Sequence, residues 1–527
     1  MEKISQKILS EGDKNVYLLG IDIGTSSTKT ILFDIGGKAV ASASGDYPMY
    51  QPKNGWAEQE ADDWWQAAKT SIKEVMDKSK VNPKDIKGIG LSGQMHGLVM
   101  LGSDNRPLRR SIIWCDQRTA LECEQITSLV GAEKLIEITA NPALTGFTAS
   151  KIMWVKNNEP EIYAKCKKIL LPKDYIRFCL TGQFATEVSD GSGMQLLDVL
   201  NRRWSGYVTD KLGIDADLLA RVYESPEITG TLTSEAAKSC GLCEGIPVAG
   251  GAGDQAASAV GNGIVKSGVV SATIGTSGVV FAHLDNPAID TKGRVHTFCH
   301  AVPGAWHVMG VTQGAGLSYK WFRDNFMTAE KYTAGQLGVD PNMIIDKIAQ
   351  TSPAGANGLV YLPYLMGERT PHLDADCRGV FFGLSGMHEK KDLLRAVMEG
   401  VVFSMNDCLG IIREMGASTD FIYAAGGGAN SSLWRQMMAD IMGVEIAVNN
   451  STESGALGVA ILAGVGAGIY PGVKEACASI IERKSSQTGE AENTKLYARL
   501  YEIYKNLYKS LKKDFSDLAR VSHDLYK

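Results

Sequence analysis

One strand–turn–strand phrase occurs twice in this chain, and it constrains the fold more than any other feature. Leu19-Gly20-Ile21-Asp22-Ile23-Gly24-Thr25-Ser26-Ser27 lies near the start. Ala272-Thr273-Ile274-Gly275-Thr276-Ser277-Gly278 lies in the middle. Each follows a short apolar run and precedes another, Thr30 to Phe33 and Val279 to Ala282. Both read as hairpins whose tight turn carries Gly-Thr-Ser. Such turns expose backbone N–H groups and small hydroxyls, which suit phosphate oxygens. Two copies so far apart predict two similar domains facing one nucleotide. Only the first copy keeps an acid, Asp22.

The 527 residues leave room for two or more domains, each with its own core. Hydrophobic content of 44% and charged content of 21% are ordinary for a soluble globular protein. A net charge of −5 gives no basic footprint for nucleic acid. No apolar run approaches the ~20 residues of a membrane span. Met1 to Ser10 lacks the apolar stretch of a signal peptide. A cytoplasmic enzyme is the expectation. Of the ten cysteines, only Cys240 and Cys243 have C-x-x-C spacing. Without a second pair or a redox context, they read as reduced thiols.

Along the chain, Ile86 to Ser92 reads as a buried strand. Gly131 to Lys156 reads as helical around a loop at Asn141 to Thr148. Ile246 to Ala249 is a short strand running into Gly250-Gly251-Ala252-Gly253-Asp254, with a helix from Gln255 to Val260. Phe421 to Ala425 is a strand running into Gly426-Gly427-Gly428-Ala429-Asn430, followed by a helix capped by Asn430 or Ser431. Gly455 to Gly464 is a small-residue helix suited to close packing. The tail spaces Tyr497, Leu500, Tyr501, Tyr504, Leu507, Tyr508, Leu511, Phe515 and Leu518 as an amphipathic helix. Its largely tyrosine face predicts packing on the body rather than on a membrane. The architecture expected is two α/β domains, hinged near Val260 to Ser267, with the site in the cleft between them.

Asp254 is the candidate catalytic residue. A carboxylate between a glycine-rich strand end and a helix points from a sheet edge into a cleft. A kinase acting on an alcohol needs a base for the hydroxyl proton as oxygen attacks the γ-phosphorus. A purely local helix cap is the competing reading. Asp22 reads as a direct or water-mediated ligand of Mg²⁺ on nucleotide phosphates. Ser92-Gly93-Gln94-Met95-His96-Gly97 is a polar loop after a buried strand, suited to sugar hydroxyls. Trp114-Cys115-Asp116-Gln117-Arg118 offers directional bonds and a flat apolar wall to a polyol, with an ion pair as the alternative. Gly426 to Asn430 would let a nucleotide approach the backbone closely.

Together these residues resemble the FGGY carbohydrate kinases over about Val16 to Gly468. Two long stretches carry the likeness. One is Gly146-Phe147-Thr148-Ala149-Ser150-Lys151-Ile152-Met153-Trp154. The other runs from Gly379-Val380-Phe381-Phe382-Gly383-Leu384 to Ala396-Val397-Met398-Glu399-Gly400. Ser92 to Gly97, Leu171-Pro172-Lys173-Asp174-Tyr175 and Gly367-Glu368-Arg369-Thr370-Pro371-His372 resemble the xylulokinase branch most.

The resemblance implies two actin-like, ribonuclease-H-type domains closing on sugar and MgATP. It divides the chain into an extension (1–15), an N-terminal sugar domain with the catalytic Asp (16–263), a C-terminal nucleotide domain (264–470) and a helical tail (471–527). It implies Asp254 as base for the terminal hydroxyl of D-xylulose. Gln94, Met95, His96, Trp114, Asp116, Arg118 and Gln255 would lie on the sugar. Thr25, Ser26, Gly275 and Thr276 would surround the phosphates, Asp22 the metal, and Gly426, Gly427 and Asn430 the adenosine. A homodimer is the one protein partnership that the resemblance brings with it. Cys115 and Gln255 depart from the branch, where Asn is usual at both places. They leave open a kinase for ribulose, L-xylulose or gluconate. A silent sugar or nucleotide sensor and an actin-like filament are rivals of other classes. Asp22 and Asp254 argue against the sensor, and the sugar-loop residues argue against the filament.

Overall fold

The computed structural model describes residues 15–525, so the expected extension lies almost wholly outside the described residues. It contains two seven-stranded sheets that repeat one another. The first runs in the order Ile228–Thr231, Pro247–Ala249, Ile86–Gly93, Tyr17–Ile23, Ser27–Asp34, Ala39–Asp46. The short strand Ala252–Gly253 pairs in addition with Ile86–Gly93. The second runs Arg483–Gln487, Glu445–Asn449, Thr419–Gly426, Gly268–Ile274, Gly278–Leu284, Trp306–Thr312, His296–Cys299. In each sheet the central strand is antiparallel to its hairpin partner and parallel to its other neighbour. Both repeated phrases occupy the same place, the turn of the central hairpin.

Alternation along the central strands sets the layers. Leu19, Ile21 and Leu32 face the helix Ala61–Ser79, which buries Trp64, Ala68, Ile72 and Val75. Leu18, Ile31 and Phe33 face the other way, onto the helix Ser454–Gly466. A sheet covered on both faces needs near-continuous apolar strands, as these are. Each fully buried Leu or Ile contributes about 1.5–3 kcal/mol. The second sheet packs on the long helix Lys390–Glu414, which starts with a reciprocal cap between Glu389 and Asp392.

The helix Ser454–Gly466 lies in the chain between two strands of the second sheet, Glu445–Asn449 and Arg483–Gln487, but packs on the first sheet. The contact is backbone to backbone. A Cβ on Gly90 would lie 1.9 Å from the carbonyl oxygen of Val459, and one on Gly458 would lie 1.9 Å from that of Ala257. Only glycine admits such an approach. Residues 454–466, within the expected C-terminal domain (264–470), thus pack on the first sheet. The expected tail is not helical throughout, since its strand Arg483–Gln487 completes the second sheet. The tail helix Ala491–Leu525 buries Tyr497, Tyr504 and Tyr508 against Val360, Leu362 and Phe403, as its tyrosine face predicts. Among the described residues, no helix is long and apolar enough to cross a membrane. All ten cysteines are free.

Candidate active site

The first Gly-Thr-Ser turn is braced by side chains. Gly24 N–H donates to the Ser27 carbonyl at 2.9 Å, closing the turn. The Tyr47 hydroxyl donates to the Gly24 carbonyl at 2.5 Å, and Gln59 Nε2 donates to the Thr25 carbonyl at 2.7 Å. Trp114 Nε1–H donates to Thr25 Oγ1 at 2.9 Å. Ser26, at the tip, is exposed.

Gln94 is buried, and its amide is spent on this brace. It donates to Gln59 Oε1 at 2.8 Å and to the Gly24 carbonyl at 3.3 Å. Gln94 Nε2 thus supports the first turn, while Gln94 Oε1 is buried with no hydrogen-bond partner.

Asp22 and Asp254 stand at the carboxyl ends of the first sheet. Asp22 Oδ1 is buried and has no hydrogen-bond partner. Burial above all, with the Glu453 carboxylate adding, holds its carboxyl above the usual range. An orphaned hard oxygen suits a Mg²⁺ ion that keeps most of its ligands as water and phosphate. Among the described residues there is no cluster of three or more His, Cys, Asp or Glu side chains that could hold a metal ion. Asp254 is the first residue of the helix Asp254–Gly261. The cap position belongs to Gly253, which has no side chain to bond, so Asp254 stands in the first turn and not at the cap. Burial first, and then the Asp22 charge, push the Asp254 carboxyl up to about 7. A carboxylate poised near neutrality is suited to accept a proton. Gln255 follows it, half-buried.

The strand end that carries Asp254 rests on a buried charged layer. Arg177 donates to the Gly250 carbonyl at 2.7 Å and to Asp174 at 2.7 Å. Ser189 Oγ accepts from Gly253 N–H at 3.1 Å and donates to Glu187 at 2.9 Å. Lys173 pairs with Asp174 at 2.8 Å and lies near Asp190 and Glu187. Burial alone would pull the Lys173 ammonium down, but the three carboxylates outweigh it and hold the group charged. The Leu171–Tyr175 stretch is thus scaffold beneath the site.

The sugar-loop residues divide. Met95 is buried under the strand end before Asp254; a Cβ on Gly253 would lie 2.9 Å from Met95 Cγ. His96 has φ of 69° and stays partly exposed. Its Nδ1 lies 2.9 Å from the Gly193 carbonyl, which can only accept. Nδ1 therefore carries the proton. Burial, with the Lys151 charge next, lowers the ring to about 3, so it is neutral and Nε2 is an acceptor. The loop is held by a residue that pattern reading leaves without a role. Lys151 is fully buried and donates to the His96 carbonyl at 2.8 Å and the Gly146 carbonyl at 2.7 Å. A lone lysine inside the apolar run Ala149 to Val155 was the available signal.

Trp114 is 42% exposed and faces the cleft side of the first turn. Asp116 and Arg118 do not join it. Asp116 accepts from Ala57 N–H at 2.6 Å and pairs with Arg118 at 2.7 Å. Arg118 also pairs with Glu58 at 2.8 Å and stacks on Trp56. Both side chains are essentially inaccessible, at 0% and 1%. The expected polyol contacts of Asp116 and Arg118 are corrected to a buried ion pair, because their charges are already satisfied inside the domain.

The second turn is braced by backbone instead. Gly275 N–H donates to the Ser277 carbonyl at 3.0 Å. The Gly275 and Thr276 carbonyls accept from Gly316 N–H at 2.8 Å and Leu317 N–H at 3.0 Å, in the first turn of the helix Ala315–Phe326. Gly426 has φ of 74° and bends the chain over the end of the strand Gly268–Ile274. Ser431 caps the next helix by accepting from Trp434 N–H at 3.2 Å, as expected. Gly275, Thr276, Gly427 and Asn430 come together as lining of one cavity of about 470 Å³, with Gly316 and Trp434 among its other walls. That size and a mixed apolar and polar wall fit a small-molecule ligand. Gly316, which sequence reading missed, lies where a Cβ would meet the Gly275 carbonyl at 2.2 Å.

Comparison with known proteins agrees with this construction. Residues 17–261 match the N-terminal domain of the FGGY family of carbohydrate kinases, and residues 270–467 match its C-terminal domain. A xylulose kinase of Bacillus subtilis (strain 168) is 40% identical over 492 residues, covering 93% of this chain and 96% of that protein. The crystal structure of a xyloylose kinase from Brucella ovis superposes with a TM-score of 0.86 at 35% identity, covering 94% of this chain and 99% of the other. That of a gluconate kinase from Lactobacillus acidophilus gives 0.88 at 29% identity, covering 95% and 99%. The two-domain α/β architecture expected of an actin-like kinase stands. The chain belongs to the FGGY family of carbohydrate kinases, and its two sheets are the cores of that family's two domains.

Proposed function

We propose that this chain is an ATP-dependent xylulokinase, transferring the γ-phosphoryl of ATP to the terminal hydroxyl of D-xylulose. The observation that carries the reading is the pairing of Asp254, raised to about 7, with the neutral His96 acceptor and the buried Met95 at one strand end. The relative of matching length from Bacillus subtilis supports the choice of sugar. Asp254 takes the hydroxyl proton as the sugar oxygen attacks. His96 Nε2 accepts a hydrogen bond from a second hydroxyl and orients the sugar. The two Gly-Thr-Ser turns, through Thr25, Ser26, Gly275 and Thr276, hold phosphate oxygens. The 470 Å³ cavity at Gly427 and Asn430, beside Gly426, takes the adenosine. Asp22 would hold Mg²⁺, which when bound neutralises charge on the phosphates. Closing the cleft would exclude water and so protect ATP from hydrolysis. Ten free cysteines fit a cytoplasmic location.

Gluconate is the second reading, because a gluconokinase of Bacillus licheniformis is 33% identical over 515 residues and Gln255 beside the base leaves the sugar open. ADP release with MgATP and single sugars separates the two: D-xylulose, L-xylulose, D-ribulose, L-ribulose, gluconate and glycerol. Preference for D-xylulose upholds the proposal. Preference for gluconate moves the assignment within the family and makes Cys115 and Gln255 the first positions to exchange.

A further inference from the structure

His96 has a counterpart on the other domain. His296 opens the strand His296–Cys299, at the edge of the second sheet. Its Nδ1 lies 2.8 Å from Asn141 Oδ1, on the loop between the first domain's helices Ala132–Thr139 and Thr148–Asn158. The amide orientation of Asn141 is fixed independently. Its Nδ2 donates to the Thr139 carbonyl at 3.0 Å and to the Thr297 carbonyl at 2.9 Å, so the facing atom must be the oxygen. An amide oxygen only accepts, so His296 Nδ1 carries the proton and Nε2 is left as an acceptor. Burial, and then the Arg369 charge, lower this ring to about 4, which keeps it neutral.

The two histidines share one apolar floor. Phe147 lies 4.9 Å from His96 and 5.8 Å from His296, ring centre to ring centre. Phe298 lies 6.3 Å and 5.9 Å from the same two rings. Both phenylalanines are buried, while both imidazoles keep an accessible edge. One acceptor nitrogen thus comes from each domain, around the edge-to-face pair of Phe147 and Phe298, whose ring centres lie 6.0 Å apart. A polyhydroxylated chain presents O–H donors to two such acceptors.

We infer that His296 is a sugar-binding residue contributed by the nucleotide-side domain, accepting a hydroxyl that His96 does not. The inference rests on the carbohydrate-kinase reading above but not on which sugar is preferred. It gives the second domain a direct contact with the sugar.

The test uses the full chain with MgATP and the sugar preferred in the panel. His296→Phe keeps a ring on Phe298 and removes the acceptor. The KM for sugar should rise about tenfold, the loss expected for one neutral hydrogen bond, while the KM for ATP stays within about twofold. His296→Gln, which can return an oxygen acceptor near the Nε2 position, should recover part of the sugar KM. A thermal melt of each variant within a few degrees of the parent establishes folding; if His296→Phe fails it, His296→Gln and Asn141→Ala supply the same comparison. A sugar KM unchanged in folded variants overturns the inference and leaves His296 as an interdomain strut. The parent protein turning over no sugar overturns the kinase reading itself, whatever the variants do.

Discussion

The two Gly-Thr-Ser turns use the same residues in the same topological place, yet they are held by opposite means. The first is gripped by side chains: Tyr47, Gln59, Gln94 and Trp114. Gln94 and Trp114 come from the two segments expected at the sugar. The second is gripped by backbone, from the N-terminal turn of the helix Ala315–Phe326 beside the large cavity. The register differs as well: Ile23 pairs with Thr28 across the first hairpin, Ile274 with Gly278 across the second. One more residue is enclosed in the first turn. The lesson is that one phrase can serve two ligands' ends. Under the proposed function, the first turn is mechanically coupled to the sugar side, and the second to the nucleotide side.

The strongest break in this comparison is at the base, since only the first domain carries the paired acids. Asp254→Ala should cut kcat by about a thousandfold, within the range for loss of a general base, while calorimetric ATP binding persists. Near-normal turnover would remove Asp254 from the mechanism. In the parent enzyme the base works deprotonated. Activity should therefore hold above the raised value of about 7 and fall as pH drops through it. A kcat/KM profile that stays flat from pH 8 to 5 contradicts the assignment.

Asp116→Asn tests the correction made for the Trp114 cluster. With the partner Arg118 left buried, stability should drop by about 3 kcal/mol, read by urea denaturation. A variant of full stability and raised sugar KM would restore Asp116 to the sugar site. Third, the two braces should fail differently. Gly316→Ala should raise the KM for ATP about tenfold or more, by forcing the helix off the Gly275 carbonyl. Trp114→Phe should raise the KM for sugar by less than about tenfold, the loss of one hydrogen bond. If each variant affects both substrates equally, the coupling drawn from the two braces is wrong. The smallest effect is expected at the tail. Tyr508→Phe removes a bond to the Asp374 carboxylate and should cost about 1 kcal/mol of stability with kcat unchanged.

Much of this molecule was legible in the chain. The central strands, the helix after Asp254, the Ser431 cap and the tyrosine face of the tail all follow from local pattern, and the structure has them. The site was legible only by segment. At Gln94-Met95-His96 the residues diverge because the chain leaves the strand at a positive φ: Gln94 stays in the sheet interior and His96 turns out. At Trp114 to Arg118 the indole faces out and the charges face in, because Glu58 and the Trp56 ring wait behind them. Neither choice is written in residue type.

By itself, the sequence determined the duplicated hairpin, the acid that only one copy keeps, and the glycine-rich strand ends. These are decided within a few residues, by turn chemistry and side-chain period. Tertiary structure decided which polar groups remain free. Asp116 and Arg118 satisfy each other, Lys151 is consumed by two carbonyls, and His296 is aimed by an asparagine 155 residues away in sequence. It also decided that Ser454–Gly466 crosses to the first sheet, where glycines on both sides let backbones touch. A buried polar group must find a partner wherever the fold brings one. That pairing is a property of the packed molecule, not of the local chain.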